Sequence, residues 1–254
     1  MTKVLFIVVI MCVVTVLILI ACEDRFKGIG IDQHIYLLNT IYKGKIIDIK
    51  NYGGGTQKGI ELDPPTEYAE KTKLIIVAST SALVKGEEWI LTQSSYCNAH
   101  VCGAELGGAI LSYKDGKFTV KKVEKDIDRL GESGRFNLPQ LISIGSGTLA
   151  FQINDSHGNH GHFESKLLLY TVIDGEFRKI LDIPRAFVHG GENIDDSGAG
   201  YYGYETYIRI TPVPNSKYYD LTAEIVGTDK INGQIVSIKK INRYAFDGMK
   251  YVLK

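Results

Sequence analysis

"YTVIDGEFRKI", residues 170–180, decides how this chain is read: an apolar strand, an Asp-Gly pair, and a second strand with an aromatic just past the turn. Both central residues of a tight type I′ turn need positive φ, which aspartate tolerates and glycine adopts freely, so the stretch predicts a β-hairpin. The same arrangement recurs as "LSYKDGKFTV" at 111–120 and "RYAFDGMKYV" at 243–252. A further apolar strand precedes each hairpin: "WILTQ" from Trp89, "LAFQI" from Leu149 and "YIRIT" from Tyr207. This recurrence predicts repeated units near 88–122, 148–182 and 204–254, with a variable loop inside each.

Outward from the hairpins, short runs rich in Val, Ile, Tyr and Phe continue the series. "HIYLLNTIY" from His34, "KLIIVAS" from Lys73, "GAILSY" from Gly108, "KLLLYTVI" from Lys166 and "QIVSIKKI" from Gln234 all read as strands between Gly, Asp and Asn punctuation. "IYKGKIIDI" from Ile41 reads as a degenerate member of the same series. Only "VEKDIDRL" from Val123 has helical spacing, and residues 51–73, with Gly, Pro-Pro and charges, read as an exposed loop. The expected fold is therefore all-β, made of antiparallel hairpin repeats arranged as a propeller-like domain or a β-sandwich.

The chain opens with "MTKVLFIVVIMCVVTVLILIAC", uncharged from Val4 to Ile20, which has the character of an export signal. Its last four residues, Leu19 to Cys22, resemble the lipobox of bacterial lipoproteins, where cleavage precedes a cysteine whose thiol carries diacylglycerol. The resemblance implies a signal peptide at 1–21, lipidation at Cys22, a lipidated tether over 22–33 and a β-rich periplasmic domain over 34–254. Acyl chains contribute about 0.8 kcal/mol per buried methylene, so two or three of them suffice to hold a domain on a membrane. Glu23, not aspartate, follows the cysteine, which implies the outer membrane of the cell envelope, facing the periplasm.

Lys3 would leave with the leader while all 29 acids stay, so the 29 basic residues fall by one and the net charge becomes −1. No basic field for nucleic acid remains. Cys97 and Cys102 in "YCNAHVCG" are the cysteines left to react, and in an oxidising compartment they are expected to form a disulfide.

Three of the six histidines fall within "DSHGNHGHFE", residues 155–164. Asp155, His157, His160, His162 and Glu164 are candidate ligands for zinc or another divalent metal, since imidazole and carboxylate suit such ions. "HGGENIDDSGAG" adds His189, Glu192, Asp195 and Asp196 at the corresponding place before the next unit, so a mixed site would arise if the two segments met. The spacing completes neither a calcium loop nor a helical His-Glu-x-x-His site, and glycine and asparagine also suit a plain hairpin loop. No resident cofactor is expected.

"SIGSGTL" from Ser143 lacks Gly-x-Ser-x-Gly, and "NYGGGTQKG" from Asn51 lacks the lysine-hydroxyl ending of a phosphate loop, so no enzyme signature is complete. Tyr201, Tyr202, Tyr204, Tyr218 and Tyr219 lie among glycines and polar residues, and tyrosine on such segments gives large contact area with few rotors. The expectation is a membrane-anchored, non-enzymatic protein that binds another macromolecule through its loops, such as an inhibitor or immunity protein against a toxin or hydrolase. A glycan is the other macromolecular partner considered. The alternative is a metal-binding protein or metal-dependent hydrolase using the His and Asp loops.

Overall fold

The computed structural model describes residues 31–50, 56–62, 74–95, 102–114, 117–132, 134–159, 161–190, 201–214 and 216–254. Cys22, Cys97, His160, Glu192, Asp195 and Asp196 lie outside the described residues, as does the leader.

Among the described residues a helix, α1 (Ile31–Tyr42), precedes fourteen strands. Strands β1 (Lys45–Lys50), β2 (Thr56–Leu62), β3 (Leu74–Val84), β4 (Glu87–Ser95), β5 (Ala104–Lys114) and β6 (Lys117–Leu130) form one antiparallel sheet in chain order. The second sheet follows the same rule through β7 (Gln140–Gly145), β8 (Thr148–Asn159), β9 (His162–Ile173), β10 (Glu176–His189), β11 (Tyr202–Thr211), β12 (Asp220–Ile231), β13 (Gln234–Phe246) and β14 (Tyr251–Leu253). The fold is all-β, as expected. Of the two architectures considered it has the packed-sheet character of a sandwich, because the second and third units are joined into one sheet by the β10–β11 ladder and do not stand as separate blades.

Strand alternation sends neighbouring residues to opposite faces, and here both faces of the central strands are buried. Trp89, Leu91, Leu106 and Ile110 of the first sheet meet Phe151, Ile153, Leu168, Tyr170 and Phe177 of the second. On the other face of β8 and β9, Ala150, Leu167 and Leu169 pack with Leu221, Ala223 and Tyr251. The second sheet therefore curls until β12 and β14 cover its own first strands, and the Tyr219 N–H donates to the Ile144 carbonyl at 2.8 Å. The outer face of the first sheet, with Ile60, Ile76, Ile90 and Leu111, is covered by Ile35 and Leu38 of α1.

Four readings are corrected. The segment from His34 is helix, because Ile31, Ile35, Leu38 and Tyr42 recur at helical spacing, and Asn39 closes the end by accepting from Lys43 N and Gly44 N. The stretch from Val123 is not helical but lies in β6, whose register against β5 shifts twice. Such bulges add residues to one strand and disguise its alternation. Residues 56–62 of the supposed loop pair with β1 as β2. The variable loop expected inside the third unit contains β12, turned back into β13 by Asn232 and Gly233 at φ 51° and 81°.

Asp174 and Gly175 have φ of 53° and 76°, the type I′ turn expected of the deciding stretch. Asp247–Gly248 closes differently: the Asp247 carboxylate accepts from Met249 N and Lys250 N, and only Gly248 has positive φ. Asp115 and Gly116 lie outside the described residues.

Candidate functional site

The histidine-rich stretch is the far end of a long hairpin. β8 continues to Asn159 and β9 starts at His162, with Asp155 opposite Lys166, His157 opposite Glu164, and Asn159 opposite His162. Since side chains alternate, Asp155, His157, His162 and Glu164 share a face, the one that lower in the hairpin carries Phe151, Ile153 and Leu168 into the inter-sheet core.

Asp155 is buried at the foot of this extension. Its Oδ1 accepts from the Gly131 N–H at 2.5 Å, and its Oδ2 lies 3.2 Å from His157 Nε2. Gly131 has φ of 70°, and a Cβ there would overlap the Arg135 carbonyl oxygen, so glycine is required for the turn that presents its N–H. Gly158 N donates to Glu132 Oε2 at 3.3 Å, and Asn137 Nδ2 donates to the Asn154 carbonyl at 2.8 Å. The hairpin is thus clamped to the crossover between the sheets, and the Asp155 carboxylate is one of the clamping groups.

Beyond the clamp the register brings the two histidine segments together. His162 lies opposite His189, and His189 opposite Tyr202; one rung lower, Glu164 faces Phe187 and Phe187 faces Tyr204. The His162 and His189 Nδ1 atoms are 2.8 Å apart with ring centroids at 4.1 Å. The Tyr202 ring lies 4.9 Å from His189 and 5.8 Å from Phe187, and Tyr204 stacks on Phe187 at 5.9 Å. The two tips also touch through the backbone, Gly190 N donating to the Gly161 carbonyl at 2.7 Å, and a Cβ on Gly161 would collide with the Gly190 oxygen. Gly161, beside His162, is what allows this approach.

His162 and Glu164 are exposed, while Phe187, His189, Tyr202 and Tyr204 are half-buried and Tyr201 is exposed. Partial burial raises the Tyr204 hydroxyl above its ordinary value, and the charges of Asp229 and Glu164 add to the shift. The phenol is therefore a neutral donor at physiological pH. The face offers aromatic area, imidazole nitrogens and one carboxylate.

The five tyrosines singled out by sequence do not form one group. Tyr201, Tyr202 and Tyr204 belong to this face, whereas Tyr218 and Tyr219 lie beyond the far end of β11, which at ~3.4 Å per strand residue is about 24 Å from Tyr204 and about 31 Å from Tyr202. There Tyr218 stacks on Phe246 at 3.7 Å, and the Tyr219 carbonyl accepts from the Tyr251 hydroxyl at 2.9 Å, both closing the curled sheet. Phe187 escaped the sequence reading. Its signal is the match of Phe187-Val188-His189 with His162-Phe163-Glu164 run backwards, as antiparallel pairing requires.

Among the described residues no group of three or more His, Cys, Asp or Glu is placed to hold a metal. Cys102 is disulfide-bonded. No described helix is long and apolar enough to cross a membrane. Comparison with protein-family models, with curated proteins and with solved structures finds no match to this chain.

A second polar cluster joins the sheets. The Tyr170 hydroxyl donates to Asp128 Oδ2 at 2.7 Å, Lys179 Nζ lies 3.0 Å from the same oxygen, and Asp182 sits 3.2 Å from Lys179. Burial opposes ionisation of Asp128, but donors from Tyr170, Lys179 and the Arg129 N–H outweigh it and hold its carboxyl below the ordinary range. Burial and the Asp128 charge push the Tyr170 phenol far above its ordinary value. An ionised acceptor locked to a neutral phenol across two sheets is structural cement.

Proposed function

We propose that this chain is a lipid-anchored protein of the bacterial envelope, held at the outer membrane through Cys22, whose β domain docks another macromolecule on the hairpin-tip face. The single observation that carries the docking is the cross-strand block of His162, His189, Tyr202, Phe187 and Tyr204, assembled beyond the packed core and left partly exposed. Aromatic rings with polar tips, held rigid by two paired hairpins, give contact area without much loss of side-chain freedom on binding. The partner is a protein, and inhibition of a toxin or hydrolase suits a small tethered β domain. That subclass rests on architecture and address.

The test is capture from envelope extract by the full chain, compared with a Phe187→Ala/Tyr202→Ala variant. A protein retained by the first and lost by the second supports the reading, and equal retention by both sinks it. Retention on purified peptidoglycan with no protein captured would transfer the face to glycan binding.

A further inference from the structure

We propose that His162 and His189 form a two-imidazole site for a borderline divalent ion, Zn²⁺, Cu²⁺ or Ni²⁺, which staples the β8–β9 hairpin to the β10–β11 hairpin. This does not rest on the docking of a partner. The two rings stand on neighbouring strands, directly opposite each other at the open end of the β9–β10 ladder, with Nδ1 atoms 2.8 Å apart. Two nitrogens on one tetrahedral ion at 2.0–2.1 Å would sit about 3.3 Å apart, so roughly half an ångström of opening between exposed rings admits the metal.

What surrounds the pair favours this use. Both backbones are fixed, by the ladder on one side and by the Gly190 N to Gly161 carbonyl bond at the tips, so little ordering remains to oppose binding. Tyr202 packs against His189 at 4.9 Å and limits how far that ring turns. Glu164 is two residues from His162 on the same face and is exposed, close enough along the strand to compensate the cation's charge. Without metal, two neutral imidazoles satisfy only one hydrogen bond between them, and two protonated ones repel. Nitrogen donors exclude Ca²⁺ and Mg²⁺, which take oxygen. Water completes the coordination, so the site is open on its solvent side.

The experiment uses the full chain purified in detergent and titrated calorimetrically with Zn²⁺, Cu²⁺ and Ni²⁺, with Ca²⁺ as control. One equivalent of transition metal is expected, with no response to Ca²⁺. His162→Ala and His189→Ala should each weaken binding by at least about tenfold, a loss that even outer-shell changes reach, while His157→Ala leaves it within a factor of about two. The Cu²⁺ complex should show hyperfine coupling to two imidazole nitrogens, and it should dissociate on acidification because only neutral imidazole ligates. No transition-metal binding, unchanged binding in either single variant, or an equal loss with His157→Ala would each overturn the proposal. Unchanged far-UV circular dichroism of the variants separates a lost ligand from a lost fold.

Discussion

Asp128 is expected to matter more to stability than the tyrosine it holds, and the asymmetry can be worked from the structure. Tyr170 is fully buried between the sheets, and its hydroxyl donates only to Asp128. Asp128→Ala takes the acceptor from that phenol, at a cost of about 1–3 kcal/mol, and removes one of the two carboxylates beside Lys179. Tyr170→Phe removes donor and bond together, and Asp128 keeps Lys179 and the Arg129 N–H, so the loss is the net value of one bond, about 0.5–1.5 kcal/mol. With a urea slope of roughly 2 kcal/mol/M, the midpoint falls by about 0.5–1.5 M in the first variant and about half that in the second. The acid limb carries a second signature. The folded carboxyl titrates below its unfolded value of 3.8, so its contribution is complete above that pH and disappears as pH drops through the lower, folded value. The gap between wild type and Asp128→Ala should therefore be full at pH 7 and narrow below about pH 4. On the alkaline side Tyr170 must stay neutral, so native stability declines above the ordinary tyrosine value of 10.0, and Tyr170→Phe should make that decline shallower while other raised tyrosines such as Tyr251 keep the remainder. A Tyr170→Phe loss equal to or larger than that of Asp128→Ala, or a gap that does not change with pH, would refute the reasoning.

Gly131→Ala should destabilise by about 2 kcal/mol or more, since it combines a left-handed backbone with a carbonyl collision, whereas Gly233→Ala at similar φ meets open space and costs about 1 kcal/mol. Thermal unfolding of the two variants side by side checks the difference. His34 Nε2 of α1 lies 3.1 Å from Glu88 Oε1 with both side chains fully buried, yet none of their side-chain polar atoms has an aligned hydrogen-bond partner among the described residues. Glu88→Leu alone should cost about 3–5 kcal/mol by orphaning the histidine, and the double change with His34→Leu should recover most of it; a double variant no better than the single would contradict the pairing. Asp155→Ala should loosen the clamp by about 1–3 kcal/mol and raise amide exchange at Gly131, while Asp155→Asn, which keeps an acceptor oxygen, should protect it.

The hairpins were legible because a period of two and a turn dipeptide are local facts, and Asp174–Gly175 needs nothing from the rest of the chain. The errors share a cause in longer-range structure. In β6, Val120, Val123, Ile127 and Leu130 fall at helix-like intervals because the bulges opposite Gly107 and between Ile110 and Leu111 insert extra residues into a strand. In α1 the β-rich letters Ile and Tyr concealed a helical stripe whose first member, Ile31, precedes the stretch that looked apolar. Asn232–Gly233 is a readable turn signal, but it lies in a polar segment whose glycine, proline and charges resemble a variable loop. At the site, the meeting of the two histidine segments was posed by sequence as a condition, and only the register of β9 on β10 decided which histidines meet.

The position of that meeting follows from where the core ends. Along β8 the shared face passes from Phe151 and Ile153, buried against the first sheet, to Asp155, buried but clamped to a backbone N–H, and then to His157 at the edge of solvent. The strands continue pairing for several residues past the last apolar contact with the other sheet, so neither the ladder's hydrogen bonds nor inter-sheet packing accounts for the side chains chosen there. A hairpin extension kept only for its backbone would be expected to carry threonine and lysine, which suit an exposed strand and discourage edge association. This one carries two histidines in contact, a carboxylate and three aromatic rings spread over three strands. Polar clamps at the foot and a glycine contact at the tip fix the backbone, while the faces of the rings stay accessible. That combination of a rigid frame and an unspent surface is what a binding face requires, and it places the functional question on His162, Phe187, His189 and Tyr202 and away from the clamped Asp155.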